Sequence, residues 1–111
     1  MKCPRAVFFD LDNTLARSFE APAPAMTQGV ENILRHMPVA IISAASFERM
    51  EKHLLPGFSE NVDFSNLYLL PVNGAGCYAF ENNSWRPQYH FEFTEKERET
   101  ILSALRESVE E

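Results

Sequence analysis

The feature that most constrains this chain is a short apolar run that leads into two closely spaced aspartates, Asp10 and Asp12. Ala6–Leu11 is rich in strand-forming residues and predicts a strand buried on both faces, as in a parallel sheet. Asp12 and Asn13 then supply the turn residues that end it. Because ligand sites of open parallel sheets lie at the carboxyl ends of the strands, this pattern predicts an α/β fold with a site at that edge.

The rest of the sequence alternates between strand and helix patterns. Further buried strands are predicted at Val39–Ile42, just before Ser43, and at Leu67–Val72, where Pro71 weakens the pattern. Residues 16–25 read as a loop that leads to the first helix. Two helices separate the three strands, and their apolar stripes are Val30, Ile33, Leu34 and Met37 in the first and Phe47, Met50 and Leu54 in the second.

Capping and turn residues mark the remaining boundaries. Thr27 and Ser46 are the predicted N-caps of the first two helices. A hairpin is predicted to join residues 77–80 to residues 85–91 over Asn82–Ser84. Thr94 and Glu97 form a capping box. It opens a third helix whose predicted buried stripe is Ile101, Leu102, Leu105 and Val109.

This order of elements predicts a single domain over residues 1–111. Strands that alternate with helices favour a three-layer, Rossmann-like α/β core with a parallel sheet, to which the hairpin is added. The net charge of −6 argues against nucleic acid as a partner, because phosphate neutralisation needs clustered Lys and Arg. No segment reads as a signal peptide or a membrane span, and we expect a cytoplasmic protein without a membrane partner.

The spacing of Asp10, Asp12 and Thr14 predicts the chemistry of the site, with Thr14 as a candidate contact to the substrate or its phosphate. Two crowded carboxylates repel each other unless a cation neutralises them, and Mg²⁺ prefers carboxylate oxygens, so both aspartates are candidate metal ligands. Asp10 could attack phosphorus as a nucleophile, and Asp12 could act as general acid and base. The alternative is structural, since Asp and Asn are common turn residues after a strand and Thr14 could supply a turn hydroxyl.

Two further strand ends reach the same predicted edge. The hydroxyl of Ser43 and the backbone amides that follow, from Ala44 on, would hold phosphate oxygens, whereas the alternative for Ser43 is a simple cap. Asn73, just after the third strand, is a candidate substrate contact or only part of a turn. The histidines show no metal-ligand spacing, and we expect them to be solvated or capping residues: His36, His53 and His90.

At Val7–Leu15 the sequence resembles the haloacid dehalogenase superfamily of phosphatases and phosphomutases. The resemblance implies a Rossmann-like core, Mg²⁺ and an aspartyl-phosphate intermediate. Asp10 matches the family nucleophile and metal ligand, and Asp12 matches the acid/base residue, whose carbonyl also binds the metal. Thr14 matches the residue that orients the turn, and Ser43 matches the phosphate-binding residue of the second motif.

The segment Pro71–Ala75, followed by a hairpin and a capped helix, is similar to the branch with phosphomannomutases, sugar-phosphate phosphatases and Cof-type hydrolases. A phosphorylated small molecule, with sugar phosphates among the candidates, is the implied substrate. The family also uses a third-motif Lys and a fourth-motif acidic pair, which in this branch follow a cap domain, and no segment here matches either motif. We therefore expect a partial core, truncated before the cap, and weak or no activity from the isolated chain.

The incomplete core has a structural consequence. A later strand of the family would flank the first strand, so Ala6–Leu11 is expected to form an open sheet edge, which a second copy of the chain would cover. Three functions remain open: a weak phosphatase, a module that binds phosphate or Mg²⁺ without turnover, and an association domain. A receiver domain is disfavoured, because its acid pair and phosphoacceptor come from different strands.

Overall fold

The computed structural model describes residues 5–17 and 20–110, without the side chain of residue 110. Residues 18 and 19 of the predicted loop, and the ends of the predicted 1–111 domain at 1–4 and 111, lie outside the described residues. The strands are β1 (Val7–Asp10), β2 (Val39–Ile42), β3 (Leu67–Leu70), β4 (Gly76–Glu81) and β5 (Ser84–His90). The helices are α1 (Pro24–Leu34), α2 (Phe47–His53) and α3 (Glu95–Glu110).

The described strands form one five-stranded sheet in the order β1-β2-β3-β4-β5. β1, β2 and β3 are parallel, and the β4–β5 hairpin continues the sheet in antiparallel fashion from β3. The predicted order of strands and helices and the parallel core are therefore confirmed. Because crossover helices between parallel strands bring each strand back in the same direction, the carboxyl ends of β1, β2 and β3 meet at one edge.

The hydrophobic core lies on one face of this sheet. Alternate residues of β2 and β3 point into it, and it also receives the apolar stripes of α1 and α2; its most buried members are Val39, Ile41, Met50, Leu54, Leu67 and Leu69. The stripe predicted for the second helix is thus confirmed, with Phe47 packed at its margin. The opposite face carries Phe8, which is 71% exposed, so the described residues supply two of the three expected layers.

β1 lies at the edge of the described sheet, where it pairs with β2 alone. The predicted open edge at Ala6–Leu11 is therefore present within the described residues, although the strand itself is shorter, Val7–Asp10. Unpaired backbone N–H and C=O groups on such an edge can accept another strand. Among the described helices, none has the length and apolar composition needed to cross a membrane.

The start of α1 differs from the prediction. The helix begins at Pro24 with Ala23 as N-cap, so the predicted loop ends before residue 25 and Thr27 lies inside the first turns. Proline is well suited to the first position of a helix, because its φ is fixed near the helical value. The N–H group that proline lacks would have no acceptor within the helix at that position. Thr27 is buried, and its hydroxyl donates to the carbonyl of Pro24 at 3.1 Å.

The boundaries of β3 and of the hairpin also shift slightly. β3 ends at Leu70, because Pro71 lacks the N–H that a strand ladder needs, and Val72–Gly74 form a short 3₁₀ turn. In the hairpin, Asn82 and Asn83 both have positive φ and form the turn alone, so β5 begins at Ser84. Paired left-handed residues match the twist of the flanking strands, which explains the tighter connection.

The third helix is the largest departure from the sequence prediction. The capping box is confirmed, since the Thr94 amide donates to Glu97 and the Glu97 amide donates to the Thr94 hydroxyl. The stripe predicted to be buried is exposed, by 40% to 84%: Ile101, Leu102, Leu105 and Val109. Local sequence determines where the helix starts, but no described element packs on its apolar side.

Candidate functional site

The candidate site begins where β1 ends. Asp10 is the last residue of β1 and is exposed, while the next residue, Leu11, is buried in the core. The Leu11 amide donates to the carbonyl of Ile42 at 3.0 Å, which keeps the end of β1 in register with the end of β2. The chain then turns sharply, with Asn13 at a φ of 60°. Asn tolerates this left-handed conformation, so the turn follows from local sequence.

A hydrogen bond joins the ends of β1 and β2. The hydroxyl of Ser43 donates to Oδ2 of Asp12 at 3.1 Å and accepts from the amide of Ala45 at 3.1 Å. Ser43 is 1% exposed and Asp12 is half-buried. A hydroxyl group has one proton to donate, and Ser43 donates it to Asp12. This hydrogen bond holds the Asp12 carboxylate beside the end of β2.

The turn after β3 supports Ser43 from the other side. The amide of Asn73 donates to the carbonyl of Ser43 at 2.8 Å, and the amide of Val72 donates to the carbonyl of Ala45 at 2.9 Å. Val72 and Asn73 have φ values of 51° and 53°, and for β-branched Val this is a strained backbone conformation. The strained turn therefore holds the Ser43 loop through two backbone hydrogen bonds.

A cavity of about 170 Å³ opens beside these strand ends, and we call it the strand-end cavity. Its polar lining comes from Asp12, Glu20, Ser43, Arg49 and His53. Its other walls are apolar or small: Leu11, Ala44, Ala45 and Met50. Charged, hydroxyl and apolar groups thus line one cavity, in which Asp12 and His53 are half-buried and Glu20 and Arg49 are exposed to solvent.

The structure brings together some of the predicted site residues. Asp12, Ser43 and Ala44 all line the strand-end cavity, and Asn73 reaches Ser43 through its backbone amide while its side chain is exposed. Asp10 lies outside the lining of this cavity, at the exposed end of β1.

Thr14 takes a different position. It is exposed and lines a separate open cavity in the loop after β1, together with Arg17 and Met26. The amide of Thr14 donates to the carbonyl of Leu11 at 3.4 Å. Thr14 therefore belongs to the turn after β1 and does not line the strand-end cavity.

Arg49, His53 and Glu20 line the strand-end cavity but were not among the predicted site residues. Arg49 and His53 are four residues apart on α2 and therefore share one side of that helix. His53 was expected to be solvated or capping, and it is half-buried at the cavity. The sequence feature that could have indicated these residues is the spacing of Arg49 and His53, two basic residues four positions apart on the helix that follows Ser46. The predicted role of Ser46 as N-cap is confirmed.

The two aspartates fit part of a magnesium site. Mg²⁺ is commonly bound through one or two carboxylates, with water and substrate phosphate as its other ligands. Asp10 and Asp12 supply two carboxylates at one strand end, and Ser43 holds the second of them in place. Within residues 5–17 and 20–110, no group of three His, Cys, Asp or Glu side chains is arranged to hold a metal.

Comparisons with known proteins bear on the fold. No protein-family profile and no curated protein matches the sequence. Solved structures do match: a haloacid dehalogenase-like hydrolase from B. subtilis gives a TM-score of 0.73 at 19% identity over 95% of this chain and 34% of its own. ATP-bound IMP-nucleotidase from Plasmodium falciparum gives 0.72 at 17% identity, over 95% of this chain and 29% of its own.

A third match is a phosphatase of the same superfamily, BT1666 from Bacteroides thetaiotaomicron. It gives a TM-score of 0.68 at 11% identity over 93% of this chain and 35% of its own. The chain has the fold of haloacid dehalogenase-like hydrolases. It spans about a third of the length of these structures. The Rossmann-like α/β core expected from the sequence is thereby confirmed as a partial haloacid dehalogenase-like core.

Proposed function

We propose that this chain carries the first half of a phosphoryl-transfer site of haloacid dehalogenase type, which acts on a phosphorylated small molecule. The observation that supports the proposal best is the hydrogen bond of 3.1 Å between Ser43 and Asp12, which fastens a carboxylate of the motif beside a cavity at the strand ends. The fold shared with phosphatases of this superfamily supports it as well.

In the proposed reaction, Asp10 attacks the phosphorus atom of a phosphomonoester and the leaving oxygen departs. Asp12 gives its proton to that oxygen and later takes one from the water that hydrolyses the aspartyl phosphate. The carboxylate of Asp10 and the backbone carbonyl of Asp12 would hold Mg²⁺, which would offset the repulsion between carboxylate and phosphate and would leave the Asp12 carboxyl group to carry the proton. Two unit charges at about 4 Å repel by roughly 4 kcal/mol at an effective dielectric of 20.

Substrate class is part of the proposal. The P. falciparum IMP-nucleotidase was solved with IMP and with ATP, so a structure that shares this fold binds phosphorylated nucleosides. A sugar phosphate is the substrate class suggested by the resemblance of Pro71–Ala75 to the phosphomannomutase and Cof-type branch. Both are phosphorylated small molecules, and we propose that general class for this chain.

We expect activity of the isolated chain to be weak. The sequence contains no segment that matches the third-motif Lys or the fourth-motif acidic pair of the superfamily that it resembles. The loss of one charge contact worth roughly 4 kcal/mol corresponds to about a thousandfold in rate. Turnover would then depend on whatever supplies those groups.

The test is release of phosphate from an aryl phosphate, with and without Mg²⁺. Turnover that requires Mg²⁺ and disappears in Asp10→Asn and Asp12→Asn would support the proposal, with Asp63→Asn as the control, because Asp63 caps a distant turn. Turnover that persists in Asp10→Asn would contradict the nucleophile assignment.

A second candidate is a module that binds phosphate or Mg²⁺ without turnover. It is favoured by the position of Asp10, which is exposed and lies outside the lining of the cavity that contains Asp12 and Ser43. Phosphate binding by a folded chain that shows no Mg²⁺-dependent turnover would select this candidate.

We also propose that a second copy of the chain covers β1. The support is the unpaired edge of β1 among the described residues, together with Phe8, which is 71% exposed beside it. A strand of the second copy would satisfy the backbone groups of that edge. Mass measured in solution across a range of concentrations tests this, and a monomer at every concentration would contradict it.

A further inference from the structure

A larger cavity, of about 670 Å³, opens beside the turn that follows β3, and we call it the hairpin-end cavity. It is lined by Val72 and Ala75 from that turn, by Phe91 and Phe93 from the segment after β5, and by Arg98 from α3. Its volume lies within the range of about 300–1,000 Å³ that is typical of pockets for whole ligands. The cavity is therefore large enough for the organic part of a phosphomonoester.

Hydrogen bonds hold the end of β5 beside this turn. The amide of Phe91 donates to the carbonyl of Ala75 at 2.7 Å, and the hydroxyl of Tyr89 donates to the carbonyl of Gly74 at 3.0 Å. The rings of Tyr89 and Phe91 also contact each other edge to face, with their centroids 6.4 Å apart. The backbone of Phe91 is thus fixed, although its side chain is 78% exposed.

The hairpin-end cavity adjoins the edge of the sheet at which Asp10 lies. Asp10 is in register with Ile42, and Ile42 with Leu70, so at about 4.8 Å between neighbouring strands the Cα atoms of Asp10 and Leu70 are about 10 Å apart. Val72, which lines the cavity, follows Leu70 by two residues.

The turn that lines the cavity also lies on the same face of the sheet as Asp10. Register partners on neighbouring strands direct their side chains to one face, so Asp10 and Ile42 share a face. A methyl group added to Gly74 would lie 3.4 Å from Cδ1 of Ile42, so the turn packs against that face. A substrate bound at Asp10 can therefore extend toward the hairpin-end cavity.

The lining of the cavity favours an uncharged aromatic ring. Phe91 and the 64% exposed Phe93 offer rings on which another aromatic ring can stack. Two carboxylates of the lining repel an anion: Glu97, and Glu92, which lies 3.0 Å from Nε2 of His90. A sugar ring would place hydroxyl groups against phenyl rings that cannot satisfy their hydrogen bonds.

Arg98 supplies a hydrogen-bond donor to the cavity. Within the part of the chain that the structure describes, its guanidinium has no hydrogen bond or ion pair to another residue. A guanidinium can stack on an aromatic ring and can also donate to acceptor atoms at the edge of the ring. A nucleobase offers both an aromatic face and acceptor atoms at its edge.

We propose that the hairpin-end cavity binds the base of a nucleoside monophosphate whose phosphate lies at Asp10. This inference rests on the proposed function and narrows its substrate class to phosphomonoesters that carry an aromatic base. The base stacks on Phe91 and Phe93 and accepts hydrogen bonds from Arg98, while the ribose spans the distance between the cavity and Asp10.

The test compares AMP with the matching ribose phosphate, which lacks the base. Dissociation constants are measured by calorimetry on the intact chain in Mg²⁺, and we expect AMP to bind about 10-fold tighter or more. Phe91→Ala removes a stacking ring and should raise the dissociation constant of AMP by about 5- to 100-fold, but that of ribose phosphate by less than about twofold. Phe91→Leu keeps an apolar side chain, so its effect should be smaller and in the same direction. Arg98→Gln should also weaken AMP selectively.

Leu105→Ala is the matched control, because Leu105 is an exposed apolar residue of α3 outside the hairpin-end cavity. It should leave both dissociation constants within about twofold. An equal loss of AMP affinity in Leu105→Ala would overturn the inference, as would unchanged AMP affinity in Phe91→Ala. Equal affinity of the unsubstituted chain for the two ligands, or no binding of AMP, would overturn it too. Equal weakening of both ligands by Arg98→Gln would show that Arg98 binds phosphate and would overturn its assignment to the base.

Adenosine, which lacks the phosphate, separates the inference from the proposed catalysis. Adenosine binding that is weakened by Phe91→Ala in a chain without turnover supports the inference and contradicts the proposed reaction. Mg²⁺-dependent turnover with the same KM for AMP and ribose phosphate supports the reaction and contradicts the inference. Circular dichroism and the urea midpoint show whether each variant is folded, which is expected because the Phe91 side chain is exposed and its backbone hydrogen bond is kept.

Discussion

Removal of the Ser43 hydroxyl should uncouple Asp12 from the end of β2. Ser43→Ala eliminates the bond to the Asp12 carboxylate and the bond from the Ala45 amide, each 3.1 Å long. A hydrogen bond to a charged group contributes about 1.5–3 kcal/mol and a neutral one about 0.5–1.5 kcal/mol. Asp12 is half-buried, so water recovers part of the loss, and we expect a destabilisation of about 1.5–2.5 kcal/mol.

Urea unfolding measures this change directly. For a small domain, with a slope of about 1–3 kcal/mol per molar urea, the midpoint of Ser43→Ala should fall by about 1 M. Combining it with Asp12→Ala completes a double-mutant cycle, in which the shared hydrogen bond should appear as a coupling energy of about 1 kcal/mol or more. The stability measurement does not depend on enzymatic activity.

Ser46→Ala provides the control cycle. It removes the cap bond to the Arg49 amide, at about 1 kcal/mol, but the Ser46 hydroxyl has no bond to Asp12 in the structure. Its coupling to Asp12→Ala should lie within about 0.5 kcal/mol of zero. A coupling between Ser43 and Asp12 no larger than this control would refute the argument that the hydroxyl holds the carboxylate.

Three further predictions concern the sheet edge, the strained turn and the third helix. Phe8→Glu should abolish self-association, because it places a charge beside the open β1 edge, and light scattering after gel filtration would then show a monomer. Glu48→Gln, on the exposed side of α2, is the control and should leave the measured mass unchanged. Val72→Asn should raise the midpoint of urea unfolding. A φ of 51° costs a β-branched residue about 1 kcal/mol, whereas Asn tolerates this backbone conformation. A lower midpoint would refute the argument that Val72 is strained. The hydrogen bond from the Thr94 backbone lowers the pKa of Glu97, so its contribution to the helix is present above the ordinary pKa of glutamate and is lost as the pH falls through the lowered value. Ellipticity at low pH should therefore decrease more in the unsubstituted chain than in Glu97→Gln, and equal pH profiles would contradict this.

Local sequence predicted most of the elements because their signals lie within a few residues. Ser46 and the Thr94–Glu97 box mark helix starts through hydrogen bonds to amides three residues away. The apolar runs before Asp10 and Ser43 predicted parallel strands, and the register of β1 with β2 confirms that both ends reach one edge. The prediction that the first strand is buried on both faces is wrong for the described residues, because β1 is an edge strand and its Phe8 is 71% exposed. The start of α1 was missed because Pro24 can close a loop or open a helix, and the sequence alone does not distinguish these roles.

The candidate site was predictable only in part. The acid spacing after β1 and the serine after β2 identified Asp12 and Ser43, and the structure joins them by a hydrogen bond across 31 positions of the chain. Arg49 and His53 were missed because an exposed basic residue on a helix is usually solvated, and only the placement of α2 against the strand ends shows what these residues face. Thr14 matches the motif in sequence, yet it lines a different cavity.

The sequence by itself determined the alternation of strands and helices, the turn after β1 and the N-terminal caps of α2 and α3, because each depends on contacts between near neighbours along the chain. Tertiary structure alone decided which apolar stripes are buried. The stripes of α1 and α2 meet the same face of the sheet, whereas the equally apolar stripe of α3 is left exposed. Burial depends on the presence of a partner surface, and a periodic pattern shows that a helix has an apolar side without specifying what covers it.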